Sequence, residues 1–253
     1  MPFTPSHIAA ILPFARTPLP PAALAIGAMM PDLFYYVPLD VPRGFTHSWL
    51  GVVTVDLGFG VALFFLWEFV FRAPVVDFAP GWVRSRMSTR YRMPTTLTAL
   101  GIFAALLVGA VLIGSATHLL WDSLTHAGPV TDALRLDAKA GPLPLYKWGQ
   151  HVSSVVGVIA LAVFTFIWWR RTEPHPSPST RLTEFQRRGG LVLVLAVGLL
   201  VALVVWIRGI ARGHSPIENQ LIFYTVTVGL AAAGLCAVIL SLVWWTVRKP
   251  RLH

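Results

Sequence analysis

His118, Asp122 and His126 are spaced i, i+4 and i+8. On a helix such residues form one stripe that drifts by about 40° per step, so two imidazoles and a carboxylate face nearly the same way. Neutral imidazole together with carboxylate is a donor set for zinc first, with manganese or iron next, rather than for magnesium or calcium alone. His7, Asp32, His47 and His151 fall at the same ends of the helices once the spans are laid out, so they join the stripe as candidate ligands. These seven residues exceed the four ligands of one zinc. They suit a two-metal site with a bridging carboxylate, or one metal with hydrogen-bonding partners and a general base. Asp32 and Asp122 are the candidates for that base. Thr46, Ser48, Ser123, Thr125 and Ser153 flank the histidines and offer hydroxyls to orient them. His175, His214 and His253 sit in loops or the tail without such company. The single cysteine, Cys236, excludes a disulfide framework and a cysteine-based metal site.

The elements that must position these residues are set by hydropathy. Of 253 residues, 55% are hydrophobic and 12% charged, with a mean hydropathy of +0.67, far from soluble globular norms. A spanning helix needs about 20 mostly apolar residues. Five segments qualify: Trp49 to Phe71, Leu97 to Trp121, Val152 to Trp169, Gly190 to Ile207 and Leu221 to Val247. The expected fold class is all-α: a polytopic membrane helical bundle of about five spanning helices plus short N-terminal interfacial helices. Residues 1–48 form a non-cytoplasmic interfacial region in this reading, 49–247 the five-helix membrane domain, and 248–253 a cytoplasmic tail. Trp168, Trp169, Trp244 and Trp245 read as headgroup-level markers at span ends.

The net charge of +9 is a topology signal. Thirteen of the twenty Lys and Arg residues fall in the loops after the first and third spans and in the tail. By the positive-inside rule these are cytoplasmic and the N-terminal region is not. The basic excess is therefore not a nucleic-acid surface, and the expected partners are the lipid bilayer and a small-molecule or lipid-linked substrate. The start of the chain lacks the basic region of a secretory signal, so it is expected to be retained, keeping His7 available. Pro21 to Met30 is too short to span. It reads as part of two short helices lying at or dipping into the outer interface; a span over Ala22 to Val37 would instead carry His7 to the other face. Glu68 and Arg72 have the spacing of a helical ion pair. Asp56 lies inside the first span with no helical partner and is left out of the site.

Several of these residues stand in recognisable motifs. Met30-Pro31-Asp32, Arg43-Gly44-Phe45-Thr46-His47-Ser48 and Thr117-His118-Leu119-Leu120-Trp121-Asp122, ending in Thr125-His126-Ala127-Gly128, resemble the bacterial membrane-bound metal-dependent hydrolases. That group has a Pro-Asp element, then Arg-Gly-x-Thr-His-Ser, then a His-x-x-x-Asp helix. Met1-Pro2-Phe3-Thr4-Pro5-Ser6-His7 and Tyr146-Lys147-Trp148-Gly149-Gln150-His151 look closer still to a bacterial family in the same neighbourhood, domain of unknown function 4184. The resemblance covers roughly residues 1 to 157, and the last two spans resemble nothing specific. It implies a metal-dependent hydrolase of the bacterial plasma membrane, with His47, His118 and Asp122 on the matching motifs. The chain departs from the fuller Pro-Asp-x-Asp-His element, since Leu33, Phe34 and Tyr35 follow Asp32. His7, His126 and His151 are the residues available to compensate.

The functional expectation is a membrane-embedded, metal-dependent hydrolase acting at the non-cytoplasmic interface on a lipid-linked ester or phosphoester. The alternative is a metal-binding or transport protein without hydrolytic activity, which calls for a second polar layer across the bilayer.

Overall fold

The computed structural model describes residues 4–88, 92–175 and 181–246; Arg90, most of the Pro/Ser stretch after His175, and the tail lie outside them. A short helix, α1 (Pro21–Met29), precedes five helices long and apolar enough to cross a membrane. These are α2 (Trp49–Phe78), α3 (Leu97–Thr125), α4 (Leu145–Arg171), α5 (Glu184–Ala211) and α6 (Asn219–Trp244). The chain is an all-α, multi-pass membrane protein, in which helices satisfy backbone groups that lipid cannot. Most of these helices outrun the apolar segments expected from hydropathy, because caps rather than apolarity end them. Thr96 Oγ1 accepts from the Ala99 N–H at 3.3 Å to start α3, and Thr183 and Gln186 cap α5 reciprocally. A pair of two-residue strands, Lys139–Ala140 and Leu143–Pro144, closes a tight turn in the loop before α4.

The described residues divide into two compact units. The first comprises Met1–Phe34, Leu39–Phe65 and Arg92–Arg171. Here a 3-10 helix, Thr4–Phe14, and α1 form a hairpin against α3 and α4. α1 comes close to α3 because a Cβ at Gly27 would collide with the Val111 backbone, and one at Gly114 with the backbone of Leu24 and Ala28. Small residues at a helix crossing allow this approach in membranes, and Leu24, Ala28 and Val111 are fully buried there. Ser115 Oγ donates to the Gly27 carbonyl at 3.0 Å across the contact. Val111 lies about 21 Å back along α3 from Thr125 at 1.5 Å per residue. The hairpin therefore dips along α3 instead of lying flat, with its backbone shielded by protein, the condition for such segments at membrane depth.

The second unit comprises Tyr35–Pro38, Leu66–Tyr91 and Thr172–His253. α5 and α6 cross at Gly198 and Gly229. Asp77, buried near the end of α2, accepts from Trp244 Nε1 and the Arg181 backbone N–H, both at 2.8 Å. Trp244, the last residue of α6, is thus a buried donor, since an indole N–H in an apolar setting needs an acceptor and Asp77 supplies one. Arg72 Nη1 meets Glu68 Oε2 at 2.7 Å, the ion pair expected from their spacing.

Candidate metal centre

Four stretches of the first unit deliver polar side chains to one point. His7 comes from the 3-10 helix and Asp32 from the turn after α1 (Met30–Tyr35). His47 caps the short helical turn Arg43–Thr46, just before Ser48 Oγ accepts from the Gly51 N–H and opens α2. α3 contributes His118 and Asp122 and ends at Thr125, so His126 completes the stripe in extended backbone, past the helix.

The distances are short and repeated. His47 Nε2 lies 3.3 Å from Asp32 Oδ1 and 3.5 Å from Asp122 Oδ2. His118 Nε2 lies 3.8 Å from the same two oxygens. His7 Nε2 is 3.6 Å from Asp122 Oδ1, and the His7 ring stacks on His118 with centroids 3.9 Å apart. His126 Nδ1 is 3.4 Å from Asp122 Oδ1.

Backbone partners fix the tautomers. A carbonyl only accepts, so the His118 Nδ1 contact with the Ala28 carbonyl at 2.8 Å puts the proton on Nδ1. The same reasoning applies to His47 Nδ1 at the Arg43 carbonyl, 3.2 Å. The Nε2 lone pairs of both rings therefore face carboxylate oxygens, an arrangement of acceptor against acceptor that only a cation or a proton relieves. Donor atoms around a tetrahedral zinc, with bonds of about 2.0–2.1 Å, stand roughly 3.3–3.4 Å apart. The spacings observed here are close to that.

Burial sharpens the point. His7 Nδ1 and Nε2, Asp32 Oδ1, His47 Nε2, His118 Nε2, Asp122 Oδ1 and His126 Nε2 are all buried without a hydrogen-bond partner. Such orphans are rare and costly. Two sets of donor atoms lie within 4.8 Å of one another: His7, Asp32 and His118, and His47, His118 and Asp122. They share His118, whose Nδ1 is committed to Ala28, so its one remaining nitrogen serves one ion and the two sets fit a single centre better than two.

Outside the spans the titrating groups respond to this crowding. Burial, reinforced by His118, lowers the His7 pKa to about 4 and keeps that ring neutral. Burial would also lower His47, but Asp122 and Asp32 outweigh it and raise the value. Burial works to raise Asp32, yet His47, His118 and Thr4 hold it below the usual carboxylate range. Burial lowers His126. Positive charge is thus favoured between Asp32 and Asp122.

Residues 1–250 match the family model described as Domain of unknown function (DUF4184). The chain belongs to the DUF4184 family. The match runs through α5 and α6, which had resembled nothing specific by motif, so those helices are part of the family's pattern. No curated protein and no solved structure matches the chain.

In this DUF4184 protein the structure gathers His7, Asp32, His47, His118 and Asp122, with His126 at the edge. It leaves out His151, which is exposed on α4. Its neighbour Gln150 takes the inward position and is 1% exposed; one residue along a helix is a turn of about 100°, enough to face away. Asp56 is fully buried with both oxygens unpartnered, outside both donor sets. Of the flanking hydroxyls, Thr46 Oγ1 reaches His47 Nδ1 at 3.0 Å and Thr125 Oγ1 reaches His126 Nδ1 at 3.4 Å. Ser48 caps α2, Ser123 bonds its own helix, and Ser153 accepts from Trp121 Nε1. Two supporting residues escaped the sequence reading. Thr4 Oγ1 donates to Asp32 Oδ2 at 2.8 Å, and Arg43 Nη2 donates to Asp122 Oδ2 at 3.1 Å. The arginine of the Arg-Gly-x-Thr-His-Ser motif was the available signal for the second, and the place of Thr4 in the motif that ends at His7 was the signal for the first.

Proposed function

We propose that this DUF4184 protein is a membrane-embedded, metal-dependent hydrolase of ester or phosphoester bonds. It works in the bacterial plasma membrane, with the cluster toward the non-cytoplasmic face and the C-terminus in the cytoplasm. The observation that carries the reading is the convergence of buried, unpartnered donor atoms from three histidines and two aspartates. Two carboxylates and neutral imidazoles balance a divalent cation, zinc first and manganese or iron next. The orientation rests on the distribution of Lys and Arg among the loops.

Asp32, His47 and His118 would hold the ion, with His7 stacked behind His118 and Asp122 completing the set. When bound, the ion supplies Lewis acidity toward a phosphoryl or carbonyl oxygen and makes water easier to deprotonate. Asp122 is the better general base of the two aspartates, because it lines a cavity of about 200 Å³ with Arg43, His47 and His126, and Asp32 does not. It takes a proton from the attacking water as the water oxygen bonds to phosphorus or acyl carbon. The bond to the leaving alcohol breaks, and the same proton passes to the alcohol oxygen. Arg43 holds one Asp122 oxygen, leaving Oδ1 for this work.

A transport reading draws on Asp56, buried in a π-helical stretch of α2, Val52–Asp56. Asp56 and Glu68, the latter paired with Arg72, are a thin basis for the second polar layer that transport calls for, so hydrolysis is preferred. The test is a panel of esters and phosphoesters offered to the purified, metal-loaded protein. Turnover that falls by about 10²- to 10⁴-fold in Asp122→Asn is expected. A folded, metal-loaded protein that cleaves nothing in the panel would leave the metal-binding alternative.

A further inference from the structure

A second cavity, of about 530 Å³, meets the same cluster from another side. Its walls are Ala9 and Ala10 of the 3-10 helix, Trp121 of α3, and Val152, Val156 and Ala160 of α4, with His7 among its lining residues. This volume lies within the roughly 300–1,000 Å³ of small-molecule pockets. The apolar lining continues onto the exposed face of a spanning helix: Val152 and Val156 are 57% and 56% exposed, and α4 carries Val155, Val158, Ile159 and Val163 on its exposed surface. For a spanning helix that surface meets lipid. The smaller cavity, of about 200 Å³, also has Leu119, Pro129 and Val130 on its wall, but it differs in carrying Arg43, whose side chain is 44% exposed while donating to Asp122.

His7 borders the larger cavity and Asp122 the smaller one, and the two side chains are 3.6 Å apart. The cluster therefore stands between a site suited to a hydrocarbon chain and a site where Arg43, already donating to Asp122, is the available cation. We infer that the ligand is a long-chain phosphate amphiphile: its chain enters from the bilayer between the 3-10 helix and α4, and its phosphate faces Arg43. The apolar lining selects this occupant over a water-soluble ester, with Arg43 as the cation that its phosphate would meet. The identity of the head group rests on the hydrolase reading; chain capture does not.

The probe is a dodecylphosphonate carrying a diazirine on its chain, added to the full-length protein in phosphatidylcholine nanodiscs. Illumination followed by peptide mapping should place label on residues 6–10 and 149–160. Unlabelled dodecylphosphonate should compete at least about tenfold better than methylphosphonate, a difference of roughly 1.4 kcal/mol. Ala9→Phe and Ala160→Phe fill the cavity from opposite walls, and each should remove the label. Ile159→Phe, on the exposed face of α4 but outside the cavity lining, should not. Metal content measured on each variant reports folding. Label spread evenly over all lipid-facing helices, equal competition by methylphosphonate, or label that survives both filling substitutions would overturn the proposal. Capture of the chain without turnover of any phosphoester supports this site and counts against the hydrolase; turnover of short esters without capture does the reverse.

Discussion

His47 Nε2 lies 3.3 Å from Asp32 Oδ1 while its Nδ1 is occupied by the Arg43 carbonyl. The ring cannot turn to offer its proton to the carboxylate without abandoning the backbone. While the ring is neutral the pair thus holds two acceptors face to face, and Asp32 is kept in that posture by Thr4, which donates to its other oxygen. Outer partners of this kind typically contribute about 10- to 100-fold to metal affinity. Thr4→Val should therefore weaken metal binding by about that factor, measured by titration against a competing chelator. Unchanged affinity would mean that Asp32 is not a ligand.

His7 gives a pH signature. Its folded value is about 4 against an ordinary value of 6.5, so between those values the unfolded chain binds the extra proton and the metal-free fold loses stability as pH falls. The sign is opposite for His47, whose raised value adds stability below 6.5 that is lost as pH rises through its folded value. In apparent melting temperature of the metal-free protein, His7→Gln should flatten the loss between pH 6.5 and about 4. An identical acid-side profile in wild type and variant would show that His7 is not buried neutral.

Gly114 offers no side chain to the cluster, yet it lets α1 approach α3, and α1 carries the Ala28 carbonyl that orients His118. Gly114→Leu should cost about 1–3 kcal/mol by overpacking and lower metal occupancy with it. Gly101→Leu, on the same helix with nothing within 4 Å of its Cβ, should do neither. Thermal unfolding and metal content of the two variants decide the matter.

These relationships differ in how far a sequence discloses them. The five spans were legible because each is a long apolar run, and hydropathy is a local property. His118 and Asp122 were legible because motif and helical spacing both point to them, and His47 because of its motif and its place at the start of the first span. His151 lies outside the cluster, and the resolution of such a reading is about one residue: one residue on α4 separates buried Gln150 from exposed His151. The dip of α1 along α3 depends on Gly27 and Gly114, each facing the other helix's backbone from far away in sequence. Neither glycine carries a signal by itself. The same holds for Thr4 on Asp32, Arg43 on Asp122 and Trp244 on Asp77, where distant partners decide what each side chain does.

The most direct test of the metal centre is the metal content of the detergent-purified protein by inductively coupled plasma mass spectrometry. Wild type is compared with His118→Ala, which removes the nitrogen common to both donor sets, and with His151→Ala, which removes an exposed histidine outside them. The account predicts near-stoichiometric metal in wild type and His151→Ala and its loss in His118→Ala. No metal in wild type after reconstitution with zinc, manganese and iron would contradict it, as would metal that survives in His118→Ala.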